Sequence, residues 1–154
     1  MYGKTLQERR ELLMLTLEQV ADVLDDAMDI LEKDGWCSGF AKLPNGMECL
    51  TQAVNTALYR RKLTKFLDIR VSITTQQPAI SQVARYFLQQ TRPDDKFLLY
   101  NPIDGLIYYN DNLVIPRPTI LDSTGPKQTI LDAGRKAAKQ ARIEHYSYNT
   151  VQHV

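Results

Sequence analysis

Two cysteines, Cys37 and Cys49, are the side chains of this chain best suited to act as a nucleophile or a redox pair. They flank a predicted turn at residues 44–46 and have the same strand parity, so a hairpin would place both thiols on one face. A nucleophilic cysteine needs a nearby base, and the two histidines, His145 and His153, lie in or near the C-terminal tail. We therefore predict that both cysteines are small apolar core residues, with a cysteine-centred enzyme as an alternative.

No metal and no cofactor are predicted. The sequence has neither a Cys-x-x-Cys pair nor a cluster of cysteines and histidines, which are the usual signatures of a zinc site. A strip of carboxylates follows one face of the first predicted helix and could bind a metal or a basic partner. Such faces are most often solvated, and we interpret this one in that way.

The most basic stretch, residues 60–70, has apolar residues between its lysines and arginines. It could grip phosphates, or it could lie against the acidic face of the first helix in the same or a neighbouring subunit. A net charge of only +1 favours protein contact over nucleic acid. The candidate interaction or ligand residues of the whole chain are Trp36, Arg60, Arg61, Lys65, Tyr109, Asn110 and Asp111.

Length and composition predict one domain. With 154 residues, of which 44% are hydrophobic, the chain can bury one core of ordinary size, whereas two domains would each be marginal. The first residues lack the apolar core of a signal peptide, and no apolar run approaches the roughly 20 residues that cross a bilayer. We expect a protein of the (host) cytoplasm or of a virion, with no membrane contact.

The strongest helix signal begins at Thr16 and ends at Gly35. Thr16 and Gln19 make a capping box, apolar residues recur at helical spacing, and Gly35 supplies a left-handed stop. After the stop, Trp36 should dock on this helix with its indole N–H bound to an acceptor. Three further helices are predicted, at residues 50–61, 79–90 and 127–144. The last has a seam of small residues and a basic flank that we expect to be solvated.

Short strands are predicted between the helices. They are a hairpin of residues 36–43 with 47–49, a strand at 71–74, and two strands, or a strand and a helical turn, at 97–100 and 106–109. The predicted fold class is therefore α+β, with three to four helices packed on short antiparallel strands.

The domain division follows from these elements. A single domain is predicted at residues 16–144, between an N-terminal arm (1–15) and a C-terminal tail (145–154). Three prolines make residues 113–126 an extended connector within the domain, because proline removes a backbone donor and fixes φ.

The order of several short motifs resembles an uncharacterised domain family of actinobacteria and bacteriophages. Its members carry a Gly-Trp…Gly element, a Cys-Leu…Ala helix and a Trp-Asn-Asp motif. This chain has Gly35-Trp36, Cys49-Leu50 and Asn110-Asp111, with Tyr109 in place of the tryptophan. The resemblance covers roughly residues 17–142 and implies a bacterial or phage context but no activity. The Asn-Asp pair could be a site, although it also makes a good helix N-cap or Asx-turn, which we prefer.

Three functional hypotheses follow. The favoured one is a non-catalytic phage or bacterial accessory protein that acts through protein–protein contacts, including self-assembly as a structural subunit of a larger oligomer such as a virion. The proline connector and the separated acidic and basic faces motivate it. The second is a small-molecule binder, for example of a nucleotide signal, that uses Trp36, Tyr108, Tyr109 and arginines or lysines of residues 60–70. The third is an enzyme centred on Cys49 or Asp111.

Overall fold

The computed structural model describes residues 14–39, 42, 44–74, 77–113 and 124–152. These residues form seven α-helices and one π-helical turn. In chain order they are α1 (Leu17–Asp34), α2 (Leu50–Arg60), α3 (Ile69–Thr74), α4 (Pro78–Thr91), α5 (Lys96–Tyr100), α6 (Pro102–Tyr108), the π-helical turn (Tyr109–Leu113) and α7 (Thr124–Gln152). Within the described ranges there is no sheet, so the predicted α+β class is wrong and the fold is all-α.

The central helix, α1, has the bounds that its sequence predicts. The Gln19 N–H donates to Thr16 Oγ1 at 3.1 Å and the Thr16 N–H donates to Gln19 Oε1 at 2.9 Å, so the capping box is confirmed. The helix ends at Gly35, where φ is 98° and a Cβ would come within 2.9 Å of Met47 Cγ. Its buried face carries Val20, Ala21, Val23, Leu24, Ala27, Met28, Ile30 and Leu31.

The most extensive helix pair is α1 with α7, and the predicted small-residue seam of α7 is buried there. A side chain at Gly134 would overlap the Met28 thioether, so glycine allows the two helices to approach closely. Arg135 forms ion pairs with Asp25, Asp29 and Glu32, and Arg142 forms ion pairs with Asp22 and Asp25. We expected a solvated acidic face on α1 and a solvated basic flank on α7, and the two instead bind each other.

The described residues after α1 do not form the predicted hairpin, and residues 40, 41 and 43 of that prediction lie outside the described residues. The described part of this segment contains two isolated bridges, one between Trp36 and Glu48 and one between Lys42 and Glu48. The Cys37 N–H donates to the Glu48 carbonyl at 3.0 Å, and the Glu48 N–H donates to the Gly35 carbonyl at 3.1 Å. Because the bridge between Trp36 and Glu48 is parallel, two strands joined by a tight turn cannot extend it.

The remaining strand predictions are wrong for a common reason. Short apolar runs do not distinguish a strand from one or two buried helical turns. Residues 71–74 lie in α3, residues 97–100 lie in α5, and residues 106–109 span the end of α6 and the start of the π-helical turn. Local caps favour the helices, since the Leu98 N–H donates to Asp95 Oδ1 at 3.2 Å and Pro102 opens α6.

The longer predicted helices are present. Helices α2 and α4 match their predicted bounds within one residue at each end, whereas α7 extends beyond its predicted bounds in both directions. Pro126 is accommodated because it lies in the first turn of α7, where its missing N–H would have no partner. Most of the predicted arm and connector, residues 1–13 and 114–123, lies outside the described residues. None of the described helices is long and apolar enough to cross a bilayer.

Candidate functional site

A groove beside α2 gathers polar side chains that the fold holds in its interior. It encloses about 760 Å³. One wall is the face of α2 with Gln52, Thr56 and Arg60, which are one turn apart on the helix. The facing wall is residues 67–70, where the chain enters α3, and Glu48 lies in the lining as well. The polar groups that could recognise a ligand therefore come from three separate segments.

Glu48 is the most unusual of these groups, because its side chain is charged and it is only 2% exposed. Its main chain is fixed on both sides by the hydrogen bonds to Gly35 and Cys37. Its Oε1 accepts from Thr56 Oγ1 at 2.9 Å, and Thr56 Oγ1 accepts in turn from Gln52 Nε2 at 3.0 Å. The Oε2 atom has no hydrogen-bond partner among the described residues.

This environment changes the acidity of Glu48. Burial raises the pKa of the Glu48 carboxyl above its ordinary value of 4.5, while the Thr56 hydrogen bond and the charges of Lys42 and Arg60 offset part of that increase. Native proteins rarely leave a buried carboxylate oxygen without a partner, because the lost solvation is not recovered. The groove therefore has one preorganised acceptor that the rest of the described chain does not use.

The outer wall of the groove is held by Asn55. Its side-chain amide donates to the Phe66 carbonyl at 3.2 Å and to the Leu67 carbonyl at 2.8 Å, which fixes this loop against α2. Two cations are placed differently in the lining. Arg70 forms an ion pair with the neighbouring Asp68, whereas Arg60 forms no hydrogen bond or ion pair with another described residue. Arg60 is thus available to an anion.

Three predicted candidates lie together away from the groove and hold the fold. Asn110 is fully buried, and its Oδ1 accepts from the Trp36 indole at 2.6 Å and from the Leu50 N–H at 2.9 Å. Its Nδ2 donates to the Cys37 carbonyl at 3.1 Å and to Asp111 Oδ1 at 2.9 Å. Asn110 therefore satisfies the first N–H of α2, which precedes it in the chain, whereas Asp111 accepts from the Gly39 N–H at 2.9 Å.

The other predicted candidates are dispersed. Tyr109 is buried and its ring packs edge-on against Phe87, with ring centroids 5.3 Å apart. Arg61 forms ion pairs with Asp22 and Asp26 of α1. Lys65 is exposed in the loop after α2. Of the predicted candidates, Arg60 lines the groove.

The two cysteines lie in the core as free thiols. Burial raises the pKa of Cys37 to about 12 and that of Cys49 to about 11, with each value increased further by nearby carboxylates. At neutral pH both thiols are protonated, which is a poor state for a nucleophile. Cys49 instead caps α2, because its sulfur accepts from the Gln52 N–H at 3.3 Å.

Sequence reasoning missed Glu48, Gln52 and Thr56. One signal was present in the sequence, since polar residues occupy inward positions of α2 beside Ala53 and Val54. A helix with polar residues on its buried side must satisfy them internally or with a ligand. Among the described residues no group of three or more His, Cys, Asp or Glu side chains is placed to hold a metal ion.

Comparison with curated proteins and with solved structures gives no match. A family model matches residues 15–117, which is more than half of the chain, and it describes a family of unknown function. The matched range contains the groove over Glu48 and the contacts of Asn110, whereas α7 lies outside it. Membership of an uncharacterised domain family, predicted from the motifs, is confirmed. The chain belongs to the family of unknown function DUF6197.

Proposed function

We propose that this chain is a non-catalytic binding protein that holds a small molecule in the groove over Glu48. The observation that carries the proposal is the buried Glu48 carboxyl, whose Oε2 has no partner within the described residues and which lies in the lining of the groove. The volume of about 760 Å³ is in the range of roughly 300–1,000 Å³ that small-molecule sites occupy. A ligand that reached Glu48 would supply the missing hydrogen bond.

Binding is favoured over catalysis by the composition of the groove. Its described lining contains no histidine and no cysteine, and its second carboxylate, Asp68, is paired with Arg70. Catalysis by acid and base groups generally uses two titratable side chains that share a reacting atom. The groove offers one such group together with donors and cations, which is a set suited to recognition.

The proposal is tested by thermal unfolding of the full chain with a panel of amino acids, nucleoside monophosphates and dicarboxylates. A ligand present at about 100 times its Kd stabilises the folded state by about 2.7 kcal/mol. For a chain of this size, that raises the unfolding midpoint by about 5 °C or more.

The Arg60→Ala variant should lose this shift, and Lys65→Ala, which changes an exposed basic residue outside the groove, should keep it. No shift with any compound, or an equal shift for Arg60→Ala and the wild type, would refute the proposal.

A second candidate function is protein contact through α5. Phe97 is 82% exposed and Tyr100 is 84% exposed, and both lie on the same side of this short helix. Sedimentation of the wild type and of the double variant Phe97→Ser, Tyr100→Ser would show whether the chain associates through this face. A bacterial or phage setting, and a place in an assembly such as a virion, stay predictions.

A further inference from the structure

Among the described residues, the groove has an unpaired acceptor, Glu48 just before α2, and an unpaired cation, Arg60 at the end of α2. Building on the proposed function, we infer that its ligand is a small molecule with a hydrogen-bond-donating nitrogen that binds Glu48 and an anionic group that binds Arg60, and a zwitterion is its simplest form. The shared chemistry is an N–H donor and an anion on one molecule. An ω-amino acid supplies them as an ammonium and a carboxylate, and a nucleotide with an amino group on its base supplies them as a neutral N–H donor and a phosphate.

The donor end is defined by Glu48. Its Oε1 already accepts from Thr56, and the Lys42 ammonium is 3.9 Å from the same oxygen with its side chain 60% exposed. At 3.9 Å the Lys42 ammonium is beyond hydrogen-bond distance, and it faces Oε1 rather than Oε2, so it does not satisfy Oε2. Among the described residues, Oε2 has no hydrogen-bond donor. An ammonium or amino group supplies a charge-assisted hydrogen bond there, which is the stronger kind.

The anionic end is defined by Arg60. The hydrogen bond from Thr56 holds the Glu48 carboxylate next to Thr56 on α2. Arg60 follows Thr56 by one helical turn on the same face of α2. The four residues from Thr56 to Arg60 correspond to about 6 Å along the helix. A ligand that reaches both groups therefore needs several bonds between its nitrogen and its anion. Leu67 and Ile69 on the facing wall provide an apolar surface for that body.

Two simpler ligands fit this charge pattern less well. A metal ion would meet only one unpaired carboxylate in the groove, whereas metal sites use several oxygen ligands. The positive charges of Lys42 and Arg60 would also repel the metal ion. An inorganic anion would bind Arg60 but would leave Glu48 without its donor. The zwitterion satisfies both groups at once.

The inference is tested by isothermal titration calorimetry with γ-aminobutyrate, n-butyrate and n-butylamine, which share a chain length and differ in their charged ends. In the wild type we expect γ-aminobutyrate to bind at least about tenfold more tightly than n-butyrate or n-butylamine, each of which has only one charged end. Glycine and ε-aminocaproate test the spacing. Adenosine monophosphate against adenosine tests whether a nucleotide supplies the same two groups more tightly than the amino acids do.

Two variants assign the ends. Glu48→Gln keeps the size of the side chain and removes the buried charge, so it should fold at least as stably as the wild type, yet bind γ-aminobutyrate no more tightly than n-butyrate. Arg60→Ala should bind γ-aminobutyrate no more tightly than n-butylamine.

Three results would overturn the inference while leaving a small-molecule groove in place. The first is that the wild type binds γ-aminobutyrate and n-butyrate equally and binds adenosine monophosphate no more tightly than adenosine. The second is that glycine binds most tightly of the amino acids. The third is that Glu48→Gln still prefers γ-aminobutyrate over n-butyrate to the same extent as the wild type. Absence of binding by every amine and nucleotide, while other compounds of the thermal panel still stabilise the chain, overturns the zwitterion alone. Absence of any stabilising compound refutes the groove itself.

Discussion

Replacing Asn110 by alanine tests whether the Asn-Asp pair is part of the fold or part of a site. The Asn110 amide joins three groups from two other segments, namely the Trp36 indole N–H, the Leu50 N–H and the Cys37 carbonyl. All four residues are buried. Alanine would remove the Asn110 hydrogen bond from each of the three groups, in a place that water cannot easily enter.

The magnitude follows from the number of hydrogen bonds that are lost. A buried polar group left unpaired costs about 1–3 kcal/mol, so the loss at the Trp36 indole and the Leu50 N–H, together with the lost bond to Cys37, should lower the free energy of unfolding by about 3 kcal/mol or more. A domain of ordinary stability has only about 5–15 kcal/mol in total. Urea unfolding followed by circular dichroism measures the change. Because Trp36 is the sole tryptophan of the chain, its fluorescence reports on the same contact.

Asn112→Ala is the matched control, since Asn112 lies in the same π-helical turn but is exposed. Its effect should stay within about 0.5 kcal/mol. A loss below about 1 kcal/mol for Asn110→Ala, with unchanged tryptophan fluorescence, would refute the structural role. An equal loss in both variants would assign the effect to the π-helical turn rather than to the buried amide.

Two further predictions concern charge. Changing Arg135 and Arg142 to glutamine should lower the free energy of unfolding by about 1 kcal/mol in low salt, as measured by urea unfolding. The loss should shrink at high ionic strength because these ion pairs are partly exposed. The control variant Lys139→Gln, on the same helix, should show no such salt dependence. Burial raises the thiol pKa from 9.0 to about 12 for Cys37 and to about 11 for Cys49. Below pH 9 both thiols are protonated in the folded and the unfolded chain, so the stability that comes from burying neutral thiols is fully present there. This stability is lost as the pH rises from 9 toward the folded pKa values, because the thiols of the unfolded chain ionise first. In a variant with both cysteines changed to alanine, the free energy of unfolding should fall less steeply with pH in this range.

Local signals in the sequence determined the long helices and their buried faces. These signals are the capping box at Thr16 and Gln19, the stop at Gly35 and the 3.6-residue spacing of apolar side chains. Each acts within one or two helical turns, so each can be recognised from the sequence without knowledge of the fold. The small residues of α7 likewise marked its packing face. The same reasoning indicated that Trp36 would need an acceptor, because a buried indole N–H is costly without one.

Tertiary structure decided the fold class, the partners of the charged faces and the site. Short apolar runs became helices because their caps and packing prevailed, and a parallel bridge to Glu48 replaced a hairpin. The carboxylates of α1 meet arginines that follow more than 100 residues later, a contact that no local pattern encodes. Glu48 looks like an ordinary surface residue in the sequence. Only the burial imposed by α2 and by the segment from α1 makes its carboxyl a group that a ligand could satisfy.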